Sequence, residues 1–305
     1  MIGYLFILLA VFFNVVKGYS SKKVSVTLDT SQKNFSFNTQ RLLISFLFSL
    51  IILICSRIEC VFLPNWTELI ICLIAGVCMA GFACLWQVII RSKAYMLASA
   101  SSSASFIIPF VCGLLFWNEK LTVFKGVAIV LIIIAFFFLL KFDSKLNGKI
   151  GVKELFYLAL LLVSQGVMQA MQKMYVLFVP NKTSTSYNFY MFFFAFLTSL
   201  LFLIISKIKQ KKDFESNEEK VEKKKSIKYN QLFYMAIMAG ALFAVSYFQT
   251  SAAKTVDAII LYPLLSALSL VAGSIMSVVS FHEKLDKNGI VGIVLVVIAV
   301  VFSKF

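Results

Sequence analysis

Apolar residues in this chain come in long runs separated by short polar stretches. Ten such runs, each close to twenty residues, lie at 1–20, 40–57, 67–90, 94–117, 121–141, 152–178, 185–206, 230–251, 257–280 and 288–303. At about 1.5 Å per residue, a helix of that length crosses the roughly 30 Å of hydrocarbon in a bilayer. None of the runs shows the strict alternation of a barrel strand, and lipid offers no partners to unpaired backbone groups, so the pattern predicts membrane-spanning helices. The first run starts at Met1 with no basic stretch ahead of it, and no small-residue cleavage site follows cleanly. It is therefore read as a retained helix and not as a removable leader.

The polar breaks carry a second pattern. FHEKLDKNGI, residues 281–290, lies between two apolar runs, and WNEKLTVFKG, residues 117–126, lies in the same setting in the first half of the chain. With Glu119 set on Glu283, the twenty positions up to Phe138 and Phe302 contain ten identities, among them Val127 with Val291, Ile134 with Ile298 and Ala135 with Ala299. The charged triplet fixes the register independently of the apolar residues, which implies an internal repeat of half the chain. The expected units are a first five-helix repeat at 1–143, a linker at 144–150 and a second five-helix repeat at 151–305. Five is an odd number, so the second unit must enter the membrane in the opposite sense. The expected fold is an all-α polytopic membrane protein of ten transmembrane helices, arranged as two inverted five-helix repeats. That symmetry suits a secondary transporter, in which related halves expose one central site to the two compartments in turn.

Composition agrees with the pattern. The chain is 60% hydrophobic and 14% charged, with a mean hydropathy of +0.91, too apolar for a soluble domain. In a soluble protein the net charge of +15 would suggest a nucleic-acid partner. Here the basic residues collect in alternate breaks (17–41, 91–93, 141–153, 207–228 and 284–287): 22 of the 29 lie on one side, against Arg57, Lys120, Lys125, Lys173, Lys182, Lys254 and Lys304 on the other. The positive-inside rule makes the basic side cytoplasmic and both termini extracytoplasmic, with no nucleic acid implied. The mixed-charge stretch 207–228 then reads as a cytosolic linker. All six cysteines lie in or beside the second to fourth runs, and His282 is the only histidine, so no metal or other cofactor is expected. There is no ATP-binding loop; uphill movement would need a coupling ion or an exchanged solute.

Polar residues inside the runs mark the candidate site, because in hydrocarbon their natural place is the bundle interior or a wet cavity. Gln165, Gln169 and Gln172 recur at i, i+4 and i+7, one face of a helix. Asn14 and Lys17 occupy the matching run of the first unit. Gln87 joins them from the third run, Ser246, Tyr247 and Gln249 from the eighth, and Tyr262, Ser266, Ser269, Gly273 and Ser277 from the ninth. The substrate-binding set drawn from these is Asn14, Lys17, Gln87, Gln165, Gln169, Gln172, Tyr247, Gln249, Tyr262 and Ser266. The serines of ASASSSASF, residues 98–106, read as small residues that let helices approach. Pro109 and Pro263, in the fourth and ninth runs, each invite a kink. Asn118 reads as the cap of the fifth helix, with Glu119 near the positive end of its dipole; a gating salt bridge through Lys120 or Lys284 is the alternative. All fourteen carboxylates fall in breaks or near helix ends.

Two five-helix units with Glu119-Lys120-Leu121 and Glu283-Lys284-Leu285 ahead of their last helices resemble the ten-helix, EamA-type members of the drug/metabolite transporter superfamily. Arg41 in the second helix, Ala80-Gly81 and Ala239-Gly240 in the third and eighth, and Gly292 in the tenth add to the resemblance, although Ala128 stands where the first unit would match Gly292. The resemblance implies cytosolic termini, the reverse of the charge count; the bias of 22 against 7 is the one followed. Four-helix multidrug relatives use a membrane-embedded Glu on their first helix, where this chain offers Asn14 and Lys17, which disfavours proton-coupled antiport of cationic drugs by that route. Lys17, Lys173 and Lys254 are the charges within reach of a cavity, and a carboxylate is their natural partner. The expectation is a non-enzymatic exporter or exchanger of small organic metabolites in the cell membrane, working by alternating access on amino acids or similar carboxylate-bearing solutes. A sugar-nucleotide or choline-type amine transporter is the alternative within that class, and a non-transporting scaffold or receptor the alternative outside it. Monomer and homodimer are both left open.

Overall fold

The computed structural model of the chain describes residues 2–25, 28, 31–55, 64–91, 95–144, 152–215, 229–281 and 287–302. These form, in order, α1 (Ile2–Ser25), α2 (Ser31–Cys55), α3 (Trp66–Arg91), α4 (Tyr95–Ala104), α5 (Ile107–Leu115), α6 (Val123–Ser144), α7 (Val152–Phe178), α8 (Ser184–Glu215), α9 (Tyr229–Ala253), α10 (Ala258–Phe281) and α11 (Lys287–Phe302). It is an all-α membrane protein. Among the described residues, six helices (α1, α2, α3, α7, α8 and α9) have the length and apolarity to cross a membrane by themselves, and shorter apolar stretches lie at 101–115, 123–135, 258–273 and 290–299.

Several helices outrun their apolar cores. α1 continues through Lys22 and Lys23, whose charges suit the negative end of a helix dipole. α2 begins at Ser31, nine residues before its apolar run, so Lys17, Lys33 and Arg41 are helical and do not belong to a loop. α8 likewise extends to Glu215 and takes up the beginning of the stretch expected to be a linker. The rest of that stretch, 216–228, together with His282 and Glu283-Lys284-Leu285, lies outside the described residues.

The fourth apolar run is two helices and not one. Pro109 has no N–H to give the carbonyl of Ser105, which is bonded instead by Ile108 N–H (3.2 Å), while Ser105 N–H turns back to the Ser102 carbonyl (3.3 Å). The helix therefore breaks at Ser105 and Phe106. Gly166 of α7 lies against this break, and a Cβ there would sit 2.8 Å from the Ser105 carbonyl oxygen and 2.6 Å from Ile108 Cδ1. Pro263, by contrast, lies inside α10 without ending it.

Asn118 does not start a helix. It has φ 51°, in the left-handed region that asparagine tolerates, and it follows the end of α5, where Trp117 N–H reaches back to the Cys112 carbonyl and Glu119 N–H to that of Gly113. α6 is opened by Thr122, whose Oγ1 accepts from Lys125 N–H (3.4 Å).

Helix pairing repeats across the chain. α1 packs on α9, α3 on α7, α2 on α8 and α6 on α11. Exchanging the two halves turns the first pair into the second and maps each of the other two onto itself. Gly3, at the start of α1, meets Thr255 and Val256 just past the end of α9, and Lys173, near the end of α7, bonds the Ala253 carbonyl at the same place. The first helix of one half thus begins on the face where the first helix of the other ends, which is consistent with an inverted repeat. Outward faces are apolar: along α1, Leu5, Leu8 and Phe12 are exposed while Ile7, Ala10 and Val11 are buried.

Candidate functional site: a polar cavity between the halves

A cavity of about 80 Å³ lies between the two halves, with room for a handful of waters. α1, α3 and α4 wall it from one half and α7 to α10 from the other. Its residues on α1 (Asn14 to Gly18), α3 (Met79 to Trp86) and α10 (Leu265 to Met276) lie toward the ends that lead into the basic connections, and those on α7 (Gln165 to Gln172), α8 (Tyr187 and Met191) and α9 (Leu242 to Gln249) toward the opposite face. None of its described lining residues is Asp or Glu.

Seven of the ten residues singled out in the sequence meet at this wall: Asn14, Lys17, Gln165, Gln169, Gln172, Gln249 and Ser266. Asn14 Nδ2 donates to Ser269 Oγ (3.1 Å), linking α1 to α10. Gln169 Oε1 accepts from Ser105 Oγ (3.3 Å), so this amide also holds the broken fourth run against α7. Gln172 Nε2 donates to Thr250 Oγ1 (2.7 Å) and to the Ser246 carbonyl (3.1 Å). The glutamine stripe thus has two duties, with Gln165 the half-buried member that carries neither of these bonds. The other three residues lie off the wall. Gln87 is buried and donates to Ser21 Oγ (3.1 Å); Tyr247 stacks on Phe243; Tyr262 is fully buried in the apolar core around Ile7 and Leu264.

Sequence reasoning missed other parts of the wall. Ser102 and Ser103, read as packing residues, face the cavity. Tyr187 lines it with a buried hydroxyl that has no hydrogen-bond partner among the described residues.

Beyond the cavity, at the face holding the start of α1, charged links join the halves. Glu119, 7% exposed, accepts from Ala258 N–H (2.8 Å) and Ile259 N–H (2.9 Å), which satisfies the first free donors of α10. It also pairs with Lys173 (3.3 Å), whose ammonium donates to the carbonyls of Ala253 and Val256. Glu119 is therefore a cap, but of α10 in the other half and not of its own helix, and its cationic partner is Lys173. Gly113 leaves it room: a Cβ there would lie 3.0 Å from Glu119 Oε2. Lys125 pairs with Asp257 (2.8 Å), and Glu68, fully buried, accepts from Tyr175 (2.9 Å) and faces Lys182 (3.7 Å). Lys254 donates to the Lys182 carbonyl. Of the three lysines placed within reach of a cavity, only Lys17 lines it.

Residues 1–141 and 152–305 match the EamA-like transporter family. The chain belongs to that family. This EamA-like protein is accordingly a multi-pass membrane protein of a family of secondary transporters of small molecules, not of enzymes. Among its described residues no three His, Cys, Asp or Glu side chains gather as a metal ion would need. No curated protein matches the chain significantly. A solved crystal structure of another protein superposes on it with TM-score 0.69 at 12% identity, covering 99% of this chain and 94% of that one, a likeness of fold alone.

Proposed function

We propose that this EamA-like protein moves small organic solutes across the cell membrane by alternating access through the cavity between its halves. The observation that carries the reading is that cavity: both halves wall it, amides and hydroxyls line it, and cross-half charged links stand at one end of it. In this reading the chain makes ten crossings, α4 and α5 together forming one, in two inverted repeats at 1–143 and 151–305. Asn14, Lys17, Gln165, Gln169, Gln172, Gln249 and Ser266 touch the solute, while Gln87, Tyr247 and Tyr262 support the wall from behind. The charge bias puts the basic face in the cytoplasm and both termini outside. Driving force comes from an ion gradient or an exchanged solute.

The test is exchange in vesicles reconstituted with the full chain, using a panel of labelled metabolites, with Gln165→Leu as the variant. Loss of exchange with an unchanged melting temperature is expected; undiminished exchange would remove α7 from the path. Labelling of a cysteine placed ahead of Met1 by an impermeant reagent on intact cells tests the orientation, and protection from that reagent would reverse it.

A further inference from the structure

We infer that the cavity takes its solute through an anionic group, a carboxylate or phosphate, held between Lys17 and Arg41. The inference rests on the transport reading and adds to it the charge of what is carried.

A side chamber of about 10 Å³ adjoins the main cavity, and Lys17 lines both; the chamber's other polar walls are Arg41 and Ser21. Arg41 is 4% exposed, and its Nε is buried with no hydrogen-bond partner among the described residues. The other buried or half-buried lysines at the opposite face are answered by acids: Lys173 by Glu119, Lys182 by Glu68 and Lys125 by Asp257. Lys17 and Arg41 have no such partner among the described residues, and neither chamber has an Asp or Glu in its wall. Two neighbouring cations out of water repel each other, and each is costly to bury unless an anion faces it. A guanidinium presents paired donors that match a carboxylate or phosphate, and the ammonium adds a point charge beside it. The same walls offer no carboxylate to an amine. Gln165, Gln249, Ser266 and the unpartnered Tyr187 hydroxyl supply hydrogen bonds for the rest of the molecule. The geometry therefore fits a small, net-negative solute with a hydrogen-bonding body.

The full chain, purified in detergent and reconstituted in phosphatidylcholine vesicles, can be given succinate, glycerol 3-phosphate, inorganic phosphate, alanine, choline or added phosphatidylglycerol. Succinate or glycerol 3-phosphate should raise the melting temperature and exchange across the membrane. Arg41→Gln and Lys17→Gln should each weaken that probe about tenfold, with Arg41→Lys weakening it less. Should Arg41→Gln fail to fold, Lys17→Gln, at a half-buried position, carries the test, with its ligand-free melting temperature as control. Anions that stabilise both Gln variants as well as the parent would overturn the proposal. So would stabilisation by choline alone, and stabilisation by phosphatidylglycerol or inorganic phosphate alone would assign the cations to a lipid headgroup or an adventitious ion. Anion binding without exchange would sustain this site and sink the transport reading. Exchange of choline or alanine untouched by either substitution would do the reverse.

Discussion

Glu119 shows how much one carboxylate does when water is kept from it. With 7% of its side chain exposed, it is held by two N–H donors of α10 and by Lys173, itself 8% exposed. Glu119→Gln keeps an acceptor for α10 but strands the Lys173 ammonium among carbonyls. Removing one member of a buried pair typically costs about 3–5 kcal/mol, so the face should loosen. A cysteine replacing Ser251, 9% exposed at the end of α9, should then react faster with a thiol reagent than it does in the parent. Lys125→Ala makes the contrast. Its pair with Asp257, whose side chain is 50% exposed, is screened by solvent and should contribute no more than about 1 kcal/mol, leaving that reaction rate nearly unchanged. Equal acceleration by both substitutions would mean that burial does not set the strength of these links. From the sequence, Glu119 and its Lys-Leu neighbours were legible as a repeated signature, but its partners were not: Lys173 and the start of α10 are brought to it only by packing of the other half.

At the scale of elements, the break in the fourth apolar run shapes the cavity. It puts Ser102 and Ser103 on the wall, gives Ser105 Oγ to Gln169, and receives the bare backbone of Gly166. Gly166→Ala would force its new methyl within 2.8 Å of a backbone oxygen, which cannot swing aside as a side-chain tip can. α7 must then retreat from α4 and α5, and exchange in vesicles should fall at least tenfold, about 1.4 kcal/mol in barrier terms. Gly81→Ala is the control, because the nearest atom to its Cβ is Ser164 Oγ at 3.8 Å, an ordinary contact. Pro109 announced trouble in the sequence, and the same signal at Pro263 proved silent: α10 carries it as one continuous helix. The difference lies in what each proline meets in three dimensions, which no local pattern records. Helix ends were misjudged for a related reason, since α2 and α8 continue through polar sequence that an apolar run does not mark.

For the whole molecule the decisive feature is a face tied across the two halves. At the face holding the start of α1, Lys173–Glu119, Lys125–Asp257 and Lys182–Glu68 all run from one half to the other, while the cavity lies inward of them between the halves. The repeat was readable in the sequence and predicted two related faces; which face is tied, and by which pairs, needed the fold. If the halves exchange roles during transport, the tied face must come apart once in every cycle. Cysteines at positions 125 and 257, joined by a short bifunctional thiol reagent, should therefore stop exchange, and cleaving the linker should restore it. A pair placed within one half, joined by the same reagent, should leave exchange intact, since that half moves as a body. Exchange that continues with positions 125 and 257 joined would mean that this face never opens. A path through the cavity would then have to leave by another route, and alternating access between the halves would have to be given up for this protein.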